Sequence, residues 1–154
     1  MTTFAVASKA LLLEVEGRLQ TLVPNVESSV RFLPIDEAVL KLKGNKKITP
    51  KLRSFEIGPA TWVGRTQVGA GLTMATYTHE IHIYYPGAGR RYNNMALSDA
   101  DQIDRLLLNT PAGVAGIQLR MLDQESAISF EMDEDDNFAT LILTLQAMYE
   151  TTAT

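Results

Sequence analysis

Residues Leu72–Tyr85 read LTMATYTHEIHIYY. β-branched and aromatic residues dominate, and the alternation has the two-residue period of an extended strand. Successive side chains of a strand point to opposite faces. Ala75, Tyr77, His79, Ile81, Ile83 and Tyr85 therefore share one face, the expected core face. Thr76, Thr78, Glu80, His82 and Tyr84 share the other. One chemical question is answered at once. His79 and His82 flank Glu80-Ile81 in the manner of metal ligands, but a zinc-protease pair stands four residues apart on a helix. Three apart on a strand, the two rings lie on opposite faces and cannot hold one ion.

On the N-terminal side, Thr61 to Val68 forms a second strand. It joins the first through Gly69-Ala70-Gly71, a hairpin turn in which glycine accepts positive φ. On the C-terminal side, Gly87-Ala88-Gly89-Arg90-Arg91 reads as a flexible turn carrying two exposed arginines. A dinucleotide fingerprint would need a third glycine and an immediate helix, and a phosphate loop would need a lysine followed by a hydroxyl residue. Neither follows. A helix is expected over Ser98–Leu108, capped by Ser98 with Asp101 three residues later and buried through Ile103, Leu106 and Leu107.

Strands are expected at Ile117–Leu122, Ala127–Met132 and Phe138–Tyr149. In the last, Ala139, Leu141, Leu143, Leu145 and Ala147 point one way, and Thr140, Thr144 and Gln146 the other. Near the start, Phe4 to Val23 has the spacing of an amphipathic helix with Leu12, Val15, Leu19 and Leu22 on its buried face, ended by Pro24. Val30–Leu33 is a short candidate strand. Prolines at 34, 50 and 59 mark a long excursion over about 34–60 with a mobile portion. A hairpin and a helical turn both fit residues 39–45. Strands cluster instead of alternating with helices. The expected fold is a single α+β domain, a mostly antiparallel sheet with both helices on one face.

The 154 residues are 45% hydrophobic, ordinary for a folded globular chain. There is no cysteine, which removes disulfides, thiolate nucleophiles and sulfur-ligated zinc, and fits a reducing cytosol. The net charge of −4 gives no footprint for bulk nucleic-acid binding. No apolar run reaches the roughly 20 residues of a membrane helix, and the N-terminus lacks the basic region of an export signal. Synthesis in the cytoplasm is expected. No G-x-S-x-G or other nucleophile motif is present. The acidic loop at 133–136 lacks the central glycine and the closing glutamate of an EF-hand. No cofactor is expected.

Charge is segregated. Lys41, Lys43, Lys46, Lys47, Lys51 and Arg53 fall in a window free of acids from Ala38 to Phe55. Asp123, Glu125, Glu131, Asp133, Glu134, Asp135 and Asp136 fall in a window free of bases. Blocks of opposite sign suit head-to-tail contacts between copies, and two solvated loops would account for them equally. The basic group, with Arg90 and Arg91, forms a candidate subunit interface. Asp133 to Asp136 are candidate lumen or interface acids.

"RSFEIGPATWVGRTQVGAGLTMATYTHEIHIYYP", then "LSDADQIDRLLLN", then "ISFEMDEDDNFATLILTLQAMY" give an order of elements similar to the tail terminator proteins of long-tailed bacteriophages. The likeness spans nearly the whole chain and is one of pattern. That family has no short motif to match residue by residue. The resemblance implies a ring, usually of six subunits, that caps the head-proximal end of the tail tube and stops its growth. It also implies that the ring meets the tube protein and the head connector or neck protein, and lets DNA pass with only non-specific contact. An acidic lining would repel the phosphates. Other readings are another neck or head-completion protein, a small enzyme using His79 or His82 with Glu80, and a nucleic-acid module using the basic window.

Overall fold

The computed structural model describes residues 4–35, 51–87, 89–109, 117–121, 128–133 and 138–152. Among the described residues two helices, α1 (Phe4–Thr21) and α2 (Arg90–Asn109), accompany seven strands in one sheet. The strands are β1 (Leu33–Pro34), β2 (Ser54–Ile57), β3 (Thr61–Gly69), β4 (Leu72–Tyr85), β5 (Ile117–Met121), β6 (Ile128–Asp133) and β7 (Phe138–Thr152). The fold is α+β, and every strand pair is antiparallel except β1 with β2.

The two longest strands form the spine. β4 and β7 pair in unbroken register from Leu72↔Thr152 to Tyr85↔Ala139. Shorter strands flank them end to end. β2 and β3 share the outer side of β4, with β1 beyond β2, while β6 and β5 share the outer side of β7. The sheet thus reads β1-β2-β4-β7-β6 at one end and β3-β4-β7-β5 at the other.

Alternation assigns the faces as expected. Ala75, Tyr77, His79, Ile81, Ile83 and Tyr85 are all buried, as are Ala139, Leu141, Leu143, Leu145 and Ala147 opposite them. Both helices close over this face in one core, through Leu11, Val15 and Leu19 of α1 and Met95, Ala96, Ala100, Ile103 and Leu107 of α2. The opposite face carries half-buried Thr76, Thr78, His82, Thr140, Thr144 and Gln146. At the β3–β4 turn Gly71 takes φ 74°, where a side chain would be strained.

Four expectations are corrected. The face of α1 is set by Leu11, not Leu12, which is only partly covered. The second helix is not short: it begins at Arg90, eight residues before Ser98. Gly89 does the capping, its carbonyl accepting from the backbone N–H of Tyr92 and Asn93, both at 3.1 Å. Gly87 allows this start, since a Cβ there would meet the Tyr92 ring at 2.6 Å. Ser98 and Asp101 are therefore interior helix residues, and Arg90 and Arg91 lie in a helix's first turn. The excursion after Pro34 also contributes a strand, β2, although residues 36–50 lie outside the described residues. The short strand expected at Val30–Leu33 is observed at Leu33–Pro34.

The phase of α1 can be checked by truncation. Leu11→Ala should cost about 2–5 kcal/mol, the range for a buried leucine that leaves a cavity. The exposed Leu13→Ala should stay within about 0.5 kcal/mol. Urea unfolding midpoints measure both.

Candidate functional site

The basic window does not behave as one surface. Arg53 is fully buried, so it is no interface residue but an interior one. Its chain adopts φ 60°, an unusual conformation for a side-chain-bearing residue. Its backbone N–H donates to the Tyr84 carbonyl at 3.0 Å, and its carbonyl accepts from Leu33 at 3.2 Å, which ties β4 to β1. Its guanidinium uses all five donors. Nε and Nη2 grip the Asp99 carboxylate of α2 at 2.8 and 3.1 Å. Nη1 donates to the carbonyls of Glu27 and Val30 at 2.9 Å each, and Nη2 also donates to that of Val26. The Tyr85 hydroxyl donates to Asp99 at 2.8 Å. The Phe32 ring lies 5.6 Å from the guanidinium carbon. Burial pushes the Asp99 carboxyl above its ordinary value, while Arg53 and Tyr85 pull it back.

The segment after α1 is held from α2 as well. The Gln102 amide accepts from Asn25 N–H at 2.8 Å and donates to the Val23 carbonyl at 3.1 Å. Arg91 donates through Nε to Glu27 at 2.8 Å and forms an ion pair with it. Arg91 is exposed, as expected, but it is engaged within its own chain. Arg90 is exposed in the same turn.

Of the remaining interface candidates, Lys51 is exposed just before β2. Lys41, Lys43, Lys46 and Lys47 lie outside the described residues, as do Glu134, Asp135 and Asp136. Asp133 ends β6, paired in register with Phe138. Topology separates the two charge windows. The basic one enters the sheet through β1 and β2, on the β4 side. The acidic one enters through β6, on the β7 side.

The histidines take opposite faces, as the strand alternation requires. His79 is buried, and its Nδ1–H donates to the Gly58 carbonyl at 2.8 Å. Burial lowers its pKa, with the Gly58 bond opposing. His82 lies on the open face, donating through Nε2 to Glu80 at 2.8 Å, with Glu56 3.9 Å from Nδ1. Tyr84 donates to Glu56, and burial followed by that carboxylate pushes its hydroxyl well above the ordinary tyrosine range. Carboxylates thus occupy the imidazole of His82. Among the described residues no three His, Asp or Glu side chains are grouped to hold a metal ion. No helix among them is long and apolar enough to cross a membrane.

Comparison with protein-family models gives no match, and comparison with curated proteins gives none either.

Sequence reasoning missed the Arg53–Asp99 pair. Its one signal was Asp99 itself, set at four-residue spacing between Met95 and Ile103 in an apolar stripe. Arg53→Met should cost about 3–5 kcal/mol, because it leaves a buried carboxylate unpaired. Adding Asp99→Leu should cost less than the sum of the single changes, and urea unfolding of the four proteins in the cycle tests this.

His79 gives a pH signature. Its folded pKa lies below the unfolded value of 6.5, so the unfolded chain takes up the proton first. The stability contribution is present above that pH and is lost as pH falls through it toward the folded value. His79→Gln should flatten this part of a urea-midpoint curve measured between about pH 5 and 8.

Proposed function

We propose that the chain is a structural virion protein. Copies form a ring, a hexamer on the tail-terminator pattern, at the head-proximal end of a phage tail tube. The ring stops tube growth and joins the tail to the head connector or neck protein. It is assembled in the host cytoplasm and works by steric and interfacial contact, without a reaction of its own.

One observation carries the reading: the two charge windows attach to opposite edges of one sheet. A patch and its complement on opposite sides of a subunit make a heterologous contact, and such a contact repeated by a closing rotation builds a ring. A two-fold pair through either edge would instead set like charge against like. The fold supports it further. It is the helix-and-sheet order that carried the resemblance, and the acidic hairpin β6–β7 remains the candidate lining past which DNA slides with only non-specific contact.

Light scattering on the purified protein tests the reading. The expected mass is near six times the 17.0 kDa of one chain, and negative-stain images should show rings. Raising salt should loosen the assembly, because exposed charges are screened. A clean monomer at high concentration, with and without added tail tubes, overturns it.

A further inference from the structure

We infer that two copies of this chain pair through the outer face of α2, antiparallel about a two-fold axis at Leu97. The contact goes beyond the ring reading and does not rest on it, because it lies on a helix and uses neither outer side of the sheet.

Helix geometry supplies the match. Residues seven apart on a helix fall nearly in line, with a drift of about 20°. Arg90, Leu97 and Asp104 therefore form one row along α2, with Leu97 in the middle. Each end of the row stands about 10.5 Å from Leu97 along the axis. A second α2 laid antiparallel about Leu97 sets Arg90 of each copy opposite Asp104 of the other. Asn93 and Asp101, each four residues from Leu97, oppose one another in the same way, and Leu97 meets Leu97. Such reciprocity is the mark of a two-fold contact, in which residue i meets j and j meets i. A parallel pair would set Arg90 against Arg90 and Asp104 against Asp104, and like charges disfavour it.

The face is open and its charges are unspent. Leu97 is 60% exposed, and Arg90, Asn93 and Asp101 are exposed around it. A single exposed leucine says little, so the charges decide. Among the described residues Arg90 has no ion-pair partner, whereas Arg91 beside it is held by Glu27. Asp104 is half-buried, and its Oδ1 is shielded from solvent without a hydrogen-bond partner among the described residues. Asp101 pairs with Arg105 of its own helix at 3.2 Å and keeps acceptor capacity for the Asn93 amide of a neighbour.

The helix dipole points the same way. Arg90 stands at the positive end of its own helix, where an anion is favoured, and α2 carries no acid in its first turn. An antiparallel neighbour supplies the missing acid at that end, its Asp104. A placement that is unfavourable in one copy thus becomes complementary in two, which identifies the occupant as a second copy of this chain. One leucine per copy and two surface ion pairs make a small contact, below the size of a standard interface. The pair is therefore reversible and forms at high concentration.

The chain has no cysteine, so Leu97→Cys places a single reporter on the axis, where identical residues come within disulfide reach. Leu13→Cys, on α1 at a position 63% exposed, is the control. Oxidised with copper phenanthroline, Leu97→Cys should give covalent dimers several-fold above the control. Arg90→Asp and Asp104→Arg are then added to Leu97→Cys in separate chains. Each alone sets like charges opposite one another, and its dimer yield should fall to the control level. Mixed, the two chains are complementary at both ends of the row, and dimers should return as heterodimers, resolved by mass. Arg90→Asp also puts an anion where its own helix favours one, so dimers lost there do not reflect a weaker α2. Dimers no more abundant than in the control, yields unchanged by either reversal, or a mixture no better than its separate chains would each overturn the two-fold pair. All three results leave the ring reading standing, since its contacts lie at the sides of the sheet.

Discussion

The interior ion pair between Arg53 and Asp99 is the constraint around which the rest of the structure is arranged. Two buried charges are costly to remove from water, and the cost is offset only where geometry is good and every remaining donor is satisfied. Arg53 meets that condition with a bidentate carboxylate and three backbone carbonyls. A lysine could not, because its ammonium has three donors and no planar fork. The carbonyls belong to residues 26–30, the carboxylate to α2, and the Tyr85 hydroxyl that shares it to the end of β4. One side chain thus fixes where the chain leaving α1 lies, how α2 is docked and where β2 begins. The positive φ at Arg53 and Glu27 belongs to the same knot.

Around this knot the sheet divides its labour. The β4–β7 pair is long, internal and covered by helices on one face, so it holds the core. The flanking strands are shorter and, among the described residues, form the two outer sides of the sheet. Burial follows the same division: the spine's core face is closed, whereas β3 carries an exposed Trp62 and Val63. The buried packing therefore resides in the spine, and a change at the exposed β3 positions need not disturb the core.

Much of this was legible in the sequence, for physical reasons. Strand alternation has a period of two and no neighbour can change it, so the faces of β4 and β7 and the opposed histidines followed directly. The hairpin at Gly71 was legible because few residues tolerate that backbone. The start of α2 was not. A serine followed by acids resembles a cap, whereas the true cap is a glycine with no side chain to announce it. The helical face of α1 was misread by one residue, because four consecutive apolar residues, Ala10 to Leu13, leave its phase open. Arg53 was least legible of all. It sits in a run of lysines in the sequence, and its partners are a residue 46 positions later and carbonyls that any sequence possesses.

Removing Arg53 from the basic window sharpens the proposed assembly. What remains of that window is lysine alone: Lys51 ahead of β2 and four more in the stretch that joins β1 to β2. Lysine is a hydrated point charge on a flexible stem, suited to attraction at an interface rim more than to bidentate anchoring. Charge at a rim mainly steers partners and sets register, while fixed aromatic anchors hold the contact. In the proposed ring the lysine-bearing edge of one copy would meet the acidic β6 side of the next. Such an arrangement opposes wrong pairings as much as it favours the right one. In that proposal two basic edges would repel and two acidic edges would repel, so a head-to-tail alternation of edges is favoured, and a closing rotation makes it a ring.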